Sequence, residues 1–341
     1  LGYVCMQIPS GILVDRLGKK KILIPGFLLL GIGTLVVALS QRILTVFIGS
    51  ILAGVGCGTY YGAAYSLTTE HVPLNKKSLA TAIVNSGTAV GSGLGLISSS
   101  FFVGEGILPW QSLLYITAIL VLIMIVIFQK FIREELPASK KENAPVKKSR
   151  SSLKGLFKLP MISAYILYFS TLYAYYLIQG TAIGVTSSLV FFAAIPGALV
   201  FSRIADRIPN KKVTIIIFLE NAAAFVLFIT VKTSNQSLLI FGIIAYGFLG
   251  KLAVEPIIIS WLGQYAPRKS IATTYGVFNF FGMSASVLVP SITGMISDAT
   301  GTKVYAFYLA IGILCAGTLL FYLINRFYEK SKKEFEEKHS S

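Results

Sequence analysis

The chain has 341 residues, of which 55% are hydrophobic and only 13% are charged, and its mean hydropathy is +0.74. Soluble domains carry about 25% charged residues, so the composition excludes an ordinary soluble domain and predicts an all-α membrane protein. The formal net charge of +16 comes mainly from connections between apolar runs. It therefore indicates topology and not a nucleic-acid partner, which would need a basic face on a folded soluble domain.

Apolar runs of about 20 residues, the length that crosses a bilayer, recur along the whole chain. They predict one partial span at 1–14 and ten complete spans at 21–40, 43–68, 79–102, 109–129, 159–179, 183–204, 212–231, 237–262, 272–297 and 303–326. Because the chain opens inside an apolar run without an initiator Met, we expect an N-terminal piece to be missing.

A polar segment at 130–158 separates the spans into a first bundle at 1–129 and a second at 159–326. Its Pro, Ser and charged residues predict a flexible linker with a short amphipathic helix at 152–159, and residues 327–341 are predicted to be a tail. Alternate connections hold 26 of the 30 Lys and Arg residues, and the opposite ones hold three. The positive-inside rule then predicts a cytoplasmic linker and C-terminus, in a bacterial-type inner membrane.

The charged loops repeat at a nearly constant distance. Asp15 in "GILVDRLGKKK" and Asp206 in "FSRIADRIPNKK" are 191 residues apart, and Pro73 and Pro267, each followed by a basic loop, are 194 apart. Matching loops on the same side of the membrane indicate a parallel internal repeat, an arrangement found in transporters.

The motif in the first of these loops resembles a known family. "GILVDRLGKKKIL" at 11–23 is similar to the loop between the second and third helices of the major facilitator superfamily, and 202–212 is similar to its degraded second copy. The resemblance covers nearly the whole chain. It implies two six-helix bundles related by a pseudo-twofold axis, with the first helix and part of the second missing, that rock about a central cavity. The residues implied to form the cytoplasmic gate are Gly11, Asp15, Arg16, Gly18, Lys19, Asp206 and Arg207.

The gate has a simple electrostatic basis. Asp15 follows an apolar helix, where its carboxylate can hold the positive N-terminus of a neighbouring helix and pair with Arg16 or another nearby basic residue. The alternative is that the loop is basic only because it sets the topology.

Two other stretches resemble one branch of the superfamily. Residues 273–312 and 83–95 are similar to the anion:cation symporter group, which implies transport of sugar acids or carboxylates with a cation. Two positions depart from the family pattern. Ser50 occupies the position where the family often has Arg, which stands against an anion site built on that Arg. Gly91 is followed by Ser92 where antiporters have Pro, which stands against drug:proton antiport.

Ionisable residues inside predicted spans mark functional sites by default, because they are costly in lipid. Lys251 and Glu255 are four residues apart and share a helix face. We predict that Lys251 anchors an anion and that Glu255 carries a proton, since burial favours the protonated form of a carboxylic acid. The alternative is an ion pair that only stabilises the bundle. Glu220 lies on a span that the family places at the periphery, so we expect it to be a structural partner.

Polar and aromatic side chains complete the candidate site. A tyrosine offers an apolar wall and one hydrogen-bonding group, although some tyrosines belong to the interfacial belt, and buried asparagines also bridge helices. The resemblance implies that two spans line the cavity, and these carry the candidates Tyr60, Tyr61, Tyr65, Tyr168, Tyr173 and Gln179; Asn85 and Asn279 are candidates on two other spans.

Glycines at close spacing predict tight helix packing. They form two groups, one in the span 43–68 and one in the span 79–102: Gly54, Gly56, Gly58 and Gly62, and Gly87, Gly91 and Gly95.

The sequence therefore predicts a secondary transporter of a small organic anion, with a proton or sodium ion as coupling ion and the lipid bilayer as its surroundings. The alternatives are a drug or sugar efflux transporter of the same superfamily and, least favoured, a non-transporting membrane sensor. Three Cys and two His give no metal-ligand spacing, and the sequence lacks a catalytic constellation or nucleotide-binding loop, so we expect neither an enzyme nor a cofactor.

Overall fold

The computed structural model describes residues 1–131, 155–180, 185–233 and 235–340, and within these residues the chain is helical and has no strand. The helices, numbered in chain order, are α1 Gly2–Leu17, α2 Lys19–Ala38, α3 Ile43–Cys57, α4 Tyr60–His71, α5 Lys77–Ser98, α6 Trp110–Phe131, α7 Leu159–Gln179, α8 Val185–Arg207, α9 Lys212–Lys232, α10 Gln236–Leu249, α11 Lys251–Leu262, α12 Ile271–Thr300 and α13 Val304–Ser340.

The predicted fold class is confirmed. Ten helical segments of the described chain are long and apolar enough to cross a membrane, and they coincide with the ten complete spans predicted above. The tail was predicted to be separate from the last span, but α13 runs on to Ser340. Most of the linker, and the first part of the helix predicted at 152–159, lie outside the described residues; a 3₁₀ turn at Gly155–Phe157 precedes α7.

Two spans are each built from two helices, and the two breaks are related by the repeat. The span 43–68 has a turn at Gly58 between α3 and α4, where the backbone of Gly58 stays close to helical, and the span 237–262 is broken at Gly250, 192 residues later, where ψ is −148°. At the first break, the Ser10 hydroxyl donates to the Gly58 carbonyl at 2.9 Å. At the second, the Gly250 carbonyl accepts from the first turn of α11. A break inside a span frees backbone groups that can bind a ligand, so these positions are where a site is to be sought.

The described chain forms two compact units. The first comprises Leu1–His71, Gly95–Gly155 and Ala266–Phe280, and the second comprises Val72–Leu94, Leu156–Tyr265 and Phe281–Ser341. Each unit therefore combines most of one predicted bundle with the beginning of a helix from the other, α12 in the first unit and α5 in the second. The bundle boundaries at 129 and 159 remain a prediction.

Each unit is held by apolar packing between its helices. In the first unit, α2 packs against α3 and α6 around a buried cluster that includes Val14, Leu23 and Phe27. In the second, α7 packs against α13, and α8 packs against α10 and α11. These contacts fix the orientation of α11, which carries the candidate site.

The prediction of tight packing at glycines is confirmed for one group and wrong for the other. A Cβ atom on Gly62 would lie 2.8 Å from the Ala272 carbonyl oxygen, and one on Gly58 would lie 2.8 Å from the Met6 Cβ atom. Among the described residues, no atom outside the neighbouring turns of the same helix lies within 4 Å of a Cβ placed on Gly87, Gly91 or Gly95. Four-residue spacing identifies a shared helix face, but it does not determine whether another helix covers that face.

Candidate functional site

The ionisable pair Lys251 and Glu255 lies at the break in the second interrupted span. Gly250 ends α10, and Lys251 is the first residue of α11. Glu255 follows one turn later, and its Oε2 atom is 2.8 Å from the Lys251 Nζ atom. The side chains are 11% and 1% exposed, so the pair is almost fully withdrawn from solvent.

Two further helices bind the carboxylate of Glu255. Asn85 on α5 donates its Nδ2 hydrogen to Oε2 at 2.9 Å, and the Tyr168 hydroxyl on α7 donates to Oε1. The Lys251 Nζ atom lies 5.4 Å from the centre of the Tyr175 ring on α7, within the range of a cation–π contact. The structure thus brings together four of the predicted site residues and Tyr175.

This arrangement compensates a buried charge in the way that protein interiors require. The ammonium group and two neutral donors surround one carboxylate. The beginning of a helix also carries a partial positive charge, so Lys251 sits where two positive contributions coincide. An anion that enters this site can compete with Glu255 for Lys251, and protonation of Glu255 would release Lys251 from its partner.

The remaining candidates of the second unit lie along α7. Tyr173 is buried and its ring lies 6.2 Å from that of Phe169, which is a packing contact between neighbours on one helix. Gln179 is the last residue of α7, and its buried Nε2 atom has no hydrogen-bond partner in the described structure. The described structure shows no contact of Tyr173 or Gln179 with the Lys251–Glu255 pair.

The candidates of the first unit lie in separate contacts. Tyr61 and Tyr65 are buried with their rings 4.5 Å apart. Tyr60 packs against the hydrophobic cluster with its ring 6.2 Å from that of Phe27. Asn279 donates its Nδ2 hydrogen to the Tyr3 hydroxyl at 2.9 Å. The environment of Tyr60 favours a packing role for this residue.

The carboxylate of Asp15 caps the N-terminus of a helix, which is one of the two contacts expected for it from the sequence. Its Oδ1 atom accepts the backbone N–H of Ala272 at 3.0 Å, and its Oδ2 atom accepts the N–H and the hydroxyl of Thr273 at 2.8 and 2.5 Å. Both residues are in the first turn of α12. We call this set of contacts the first latch.

Asp206 makes the equivalent contact in the second unit. Its carboxylate accepts the backbone N–H groups of Ser78 at 3.1 Å and Leu79 at 2.9 Å, in the first turn of α5. The Nζ atom of Lys212 lies 3.5 Å from Asp206 and donates to the Ser260 hydroxyl at 2.6 Å. We call this set the second latch, and Lys212 is a member that the sequence analysis missed.

The other residues predicted to form the gate lie beside the two latches. Gly18 has a φ of 101°, a conformation that favours glycine, and it makes the turn between α1 and α2. Gly11 lies against Ala272, because a Cβ atom there would be 2.7 Å from the Ala272 carbonyl oxygen. Asp15 was predicted to pair with Arg16 or another nearby basic residue. Of these basic residues, Lys19 pairs with Glu70 instead, at 2.6 Å. Arg16 and its repeat mate Arg207 are exposed.

Comparisons with known proteins agree with this architecture. The family model of the Major Facilitator Superfamily matches residues 1–179 and 161–341. The 3-(3-hydroxy-phenyl)propionate transporter of Escherichia coli (strain K12) is 26% identical over 349 residues, covering 96% of this chain and 83% of that protein. The hexuronate transporter of Bacillus subtilis (strain 168) is 22% identical over 356 residues, covering 94% and 82%. The crystal structure of the human organic anion transporter MFSD10 is similar with a TM-score of 0.73 at 15% identity, covering 94% of this chain and 80% of that one.

Proposed function

Because this chain belongs to the major facilitator superfamily, we propose that it is a secondary transporter that moves a small organic anion by alternating access, coupled to a cation. Two of its relatives are named as transporters of a hydroxyphenylpropionate and of hexuronate. Both compounds are carboxylates at neutral pH, which supports a carboxylate or sugar acid as the substrate class.

The observation that carries the proposal is the position of Lys251 at the beginning of α11, with Glu255 as its partner at 2.8 Å. Half-helix N-termini in interrupted spans are places where transporters bind anionic groups. Lys251 adds a full positive charge to that helix end. Glu255 neutralises it when no substrate is bound, so the buried site avoids an unpaired cation.

The same pair offers a mechanism for coupling. A proton that binds Glu255 removes the negative charge that holds Lys251, and the freed ammonium group can then bind the carboxylate of a substrate. Asn85 and Tyr168 can hold the side chain of Glu255 in place in both protonation states, because a protonated carboxyl group still accepts hydrogen bonds. Anion binding and proton binding would therefore favour each other, which is the thermodynamic basis of symport.

Alternating access requires contacts that form in one state and break in another. We propose that the first and second latches are such contacts. Each joins residues from the two halves of the sequence, and each depends on a carboxylate that can leave a helix N-terminus and be replaced by water. The basic connections next to both latches support a cytoplasmic position for them, in a cell membrane of the bacterial type.

The experiment uses the purified protein in liposomes with labelled hexuronate and 3-(3-hydroxyphenyl)propionate as probes. Uptake is measured with and without inward proton or sodium gradients. We expect gradient-driven uptake of at least one probe, and a loss of about tenfold or more in Lys251→Gln, since a hydrogen bond to a charged group is worth about 1.5–3 kcal/mol. In Glu255→Gln we expect uptake to become independent of the gradient.

The chain offers a matched control for these variants. Lys330 and Glu334 on α13 form a pair with the same four-residue spacing, at 3.8 Å, but their side chains are 78% and 60% exposed. Lys330→Gln and Glu334→Gln should transport like the unmodified protein. Anion uptake that is unchanged in Lys251→Gln would show that the pair only stabilises the bundle. Transport restricted to cationic drugs or neutral sugars would contradict the anion assignment.

A further inference from the structure

The second unit contains another buried carboxylate, which the mechanism above does not use. Glu220 lies on α9 and is 1% exposed. The Thr171 hydroxyl on α7 donates to its Oε1 atom at 2.5 Å. Among the described residues, no Lys, Arg or His side chain pairs with Glu220, whereas Glu255 pairs with Lys251. An ionised carboxylate in this position would lack the compensation that buried charges require.

A cavity of about 530 Å³ lies in the same unit, among the ends of α7 and α9 and the beginnings of α8, α10 and α13. Thr233, Thr302 and Lys303, which belong to connections between helices, line it at one end. Leu227 lines it seven residues from Glu220, which is about 10 Å along α9. The cavity thus runs from the connections at this end of the bundle towards Glu220.

Tyr246 on α10 places a buried hydroxyl in the lining of the cavity. It lines the cavity, is only 2% exposed, and lies on a helix that packs against α9, which carries Glu220. A tyrosine hydroxyl can both donate and accept a proton in a hydrogen-bonded chain. Tyr246 can therefore take part in a hydrogen-bonded chain that carries a proton between water in the cavity and Glu220.

The other ionisable groups near α9 are engaged elsewhere. Of the elements that pack against α9, α8 contributes Asp206, which pairs with Lys212 at the far end of α9. The pair Lys251 and Glu255 belongs to α11. The Tyr308 ring of α13 lies 6.5 Å from that of Phe228, two turns beyond Glu220. Thr171 on α7 is then the polar side chain that the described structure places in contact with Glu220.

We infer that Glu220 is a second proton-binding site of this protein, which exchanges its proton with the medium through the cavity that Tyr246 lines. Thr171 and Tyr168 are three residues apart on α7, and their hydroxyls bind Glu220 and Glu255 respectively. One face of α7 thus contacts both carboxylates. A change in the protonation of one carboxylate can therefore move the hydroxyl that donates to the other. Proton binding by Glu220 does not depend on the proposed function. The use of this proton in transport does rest on it.

Infrared spectroscopy of the purified protein in lipid tests the inference, with the proton as the only ligand. We expect a carbonyl band of a protonated carboxylic acid that shifts in D₂O and is absent in Glu220→Gln. The band should remain in Glu255→Gln and in Glu70→Gln, a variant of an exposed ion pair. In Thr171→Val it should move to higher wavenumber, because the carbonyl loses a hydrogen bond. Identical spectra of the unmodified protein and Glu220→Gln would overturn the inference.

A second pair of variants tests the route through the cavity. Ile243 lines the cavity, whereas its neighbour Ile244 is 39% exposed and does not line it. Ile243→Trp fills the cavity and should slow the D₂O shift of the Glu220 band several-fold, and Ile244→Trp should leave it unchanged. Equal exchange rates in the two variants would overturn the cavity as the route.

Transport assays then separate this inference from the proposed function. Exchange of labelled for unlabelled hexuronate moves no net proton, so Glu220→Gln should retain exchange and lose accumulation driven by a proton gradient. Accumulation equal to that of the unmodified protein would overturn a role in coupling. If the unmodified protein transports none of the probes, the proposed function fails, and the infrared result still decides whether Glu220 binds a proton.

Discussion

The two latches have the same plan and different surroundings. In each, an aspartate near the end of a helix accepts two consecutive backbone N–H groups from the first turn of a helix that follows a Pro and a 3₁₀ turn, at Leu74–Lys76 in one case and Arg268–Ser270 in the other. The first latch adds the Thr273 hydroxyl. The second adds the Lys212 ammonium group, which is 1% exposed.

This difference shows how the degraded copy of the motif still caps a helix, although its sequence has changed. The glycine that makes the turn after Asp15 has no equivalent after Asp206, where "RIPNKK" follows. A 3₁₀ turn at Pro209–Lys211 makes the connection instead, and it directs Lys212 back towards Asp206. The first latch is therefore a helix cap, whereas the second is a helix cap combined with a buried ion pair.

The largest effect should come from removing Asp206. Asp206→Ala leaves the buried Lys212 without its partner, and breaking one side of a buried ion pair costs about 3–5 kcal/mol. We expect a loss of that order in the free energy of unfolding, measured by denaturant titration in detergent.

The double variant separates the ion pair from the cap. Asp206→Ala combined with Lys212→Met removes the unpaired charge, so it should be more stable than Asp206→Ala alone and retain only the loss of the cap. Equal stability of the single and double variants would show that Lys212 does not depend on Asp206.

Removing Asp15 should have a smaller effect. Asp15→Ala deletes a cap but leaves no buried charge behind, and the loss of an N-terminal cap costs about 0.5–2 kcal/mol. We expect that decrease in the free energy of unfolding, together with faster alkylation of a cysteine placed at Ala272. Asp15→Asn should be intermediate, because its amide oxygen still accepts one N–H. A loss equal to that of Asp206→Ala would contradict the contrast between the two latches.

The helices and the capping role of Asp15 could be predicted from the sequence because both depend on local chemistry. Span length follows from apolar runs, and a carboxylate at the end of a helix has few favourable partners other than a helix N-terminus or a cation. The partner of Asp15 could not be predicted, because Ala272 and Thr273 are more than 250 residues away and carry no pattern that identifies them. The breaks at Gly58 and Gly250 were hidden for a related reason, since both residues lie inside continuous apolar runs.

The pairing of Lys251 with Glu255 was predictable because it is local, at four-residue spacing on one helix. Its environment was not. Asn85 and Tyr168 were candidates on separate spans, and only the tertiary structure brings them within hydrogen-bond distance of Glu255. Tyr60 was also a candidate, but the structure does not bring it to this site. It lies on the same helix as Tyr61, points to a different side and packs against Phe27.

The Thr273 hydroxyl should contribute a measurable part of the first latch. Thr273→Val keeps the shape of the side chain and the backbone N–H but removes the donor 2.5 Å from Asp15, which should cost about 1 kcal/mol. Thr273→Ser keeps the hydroxyl and serves as the control. If Thr273→Val and Thr273→Ser are equally stable, the cap consists of the backbone donors alone.

The smallest effect is expected at Lys19, although it belongs to the same motif as Asp15. Lys19 pairs with Glu70 at 2.6 Å, and the Glu70 side chain is 33% exposed, so water screens this pair, as it screens surface pairs, which are worth about 0.2–1 kcal/mol. Lys19→Gln should lower the free energy of unfolding by no more than this, and the difference should shrink at high salt because ions screen it. Glu70→Gln should behave in the same way. A salt-independent loss as large as that of Asp15→Ala would place Lys19 inside the latch and not beside it.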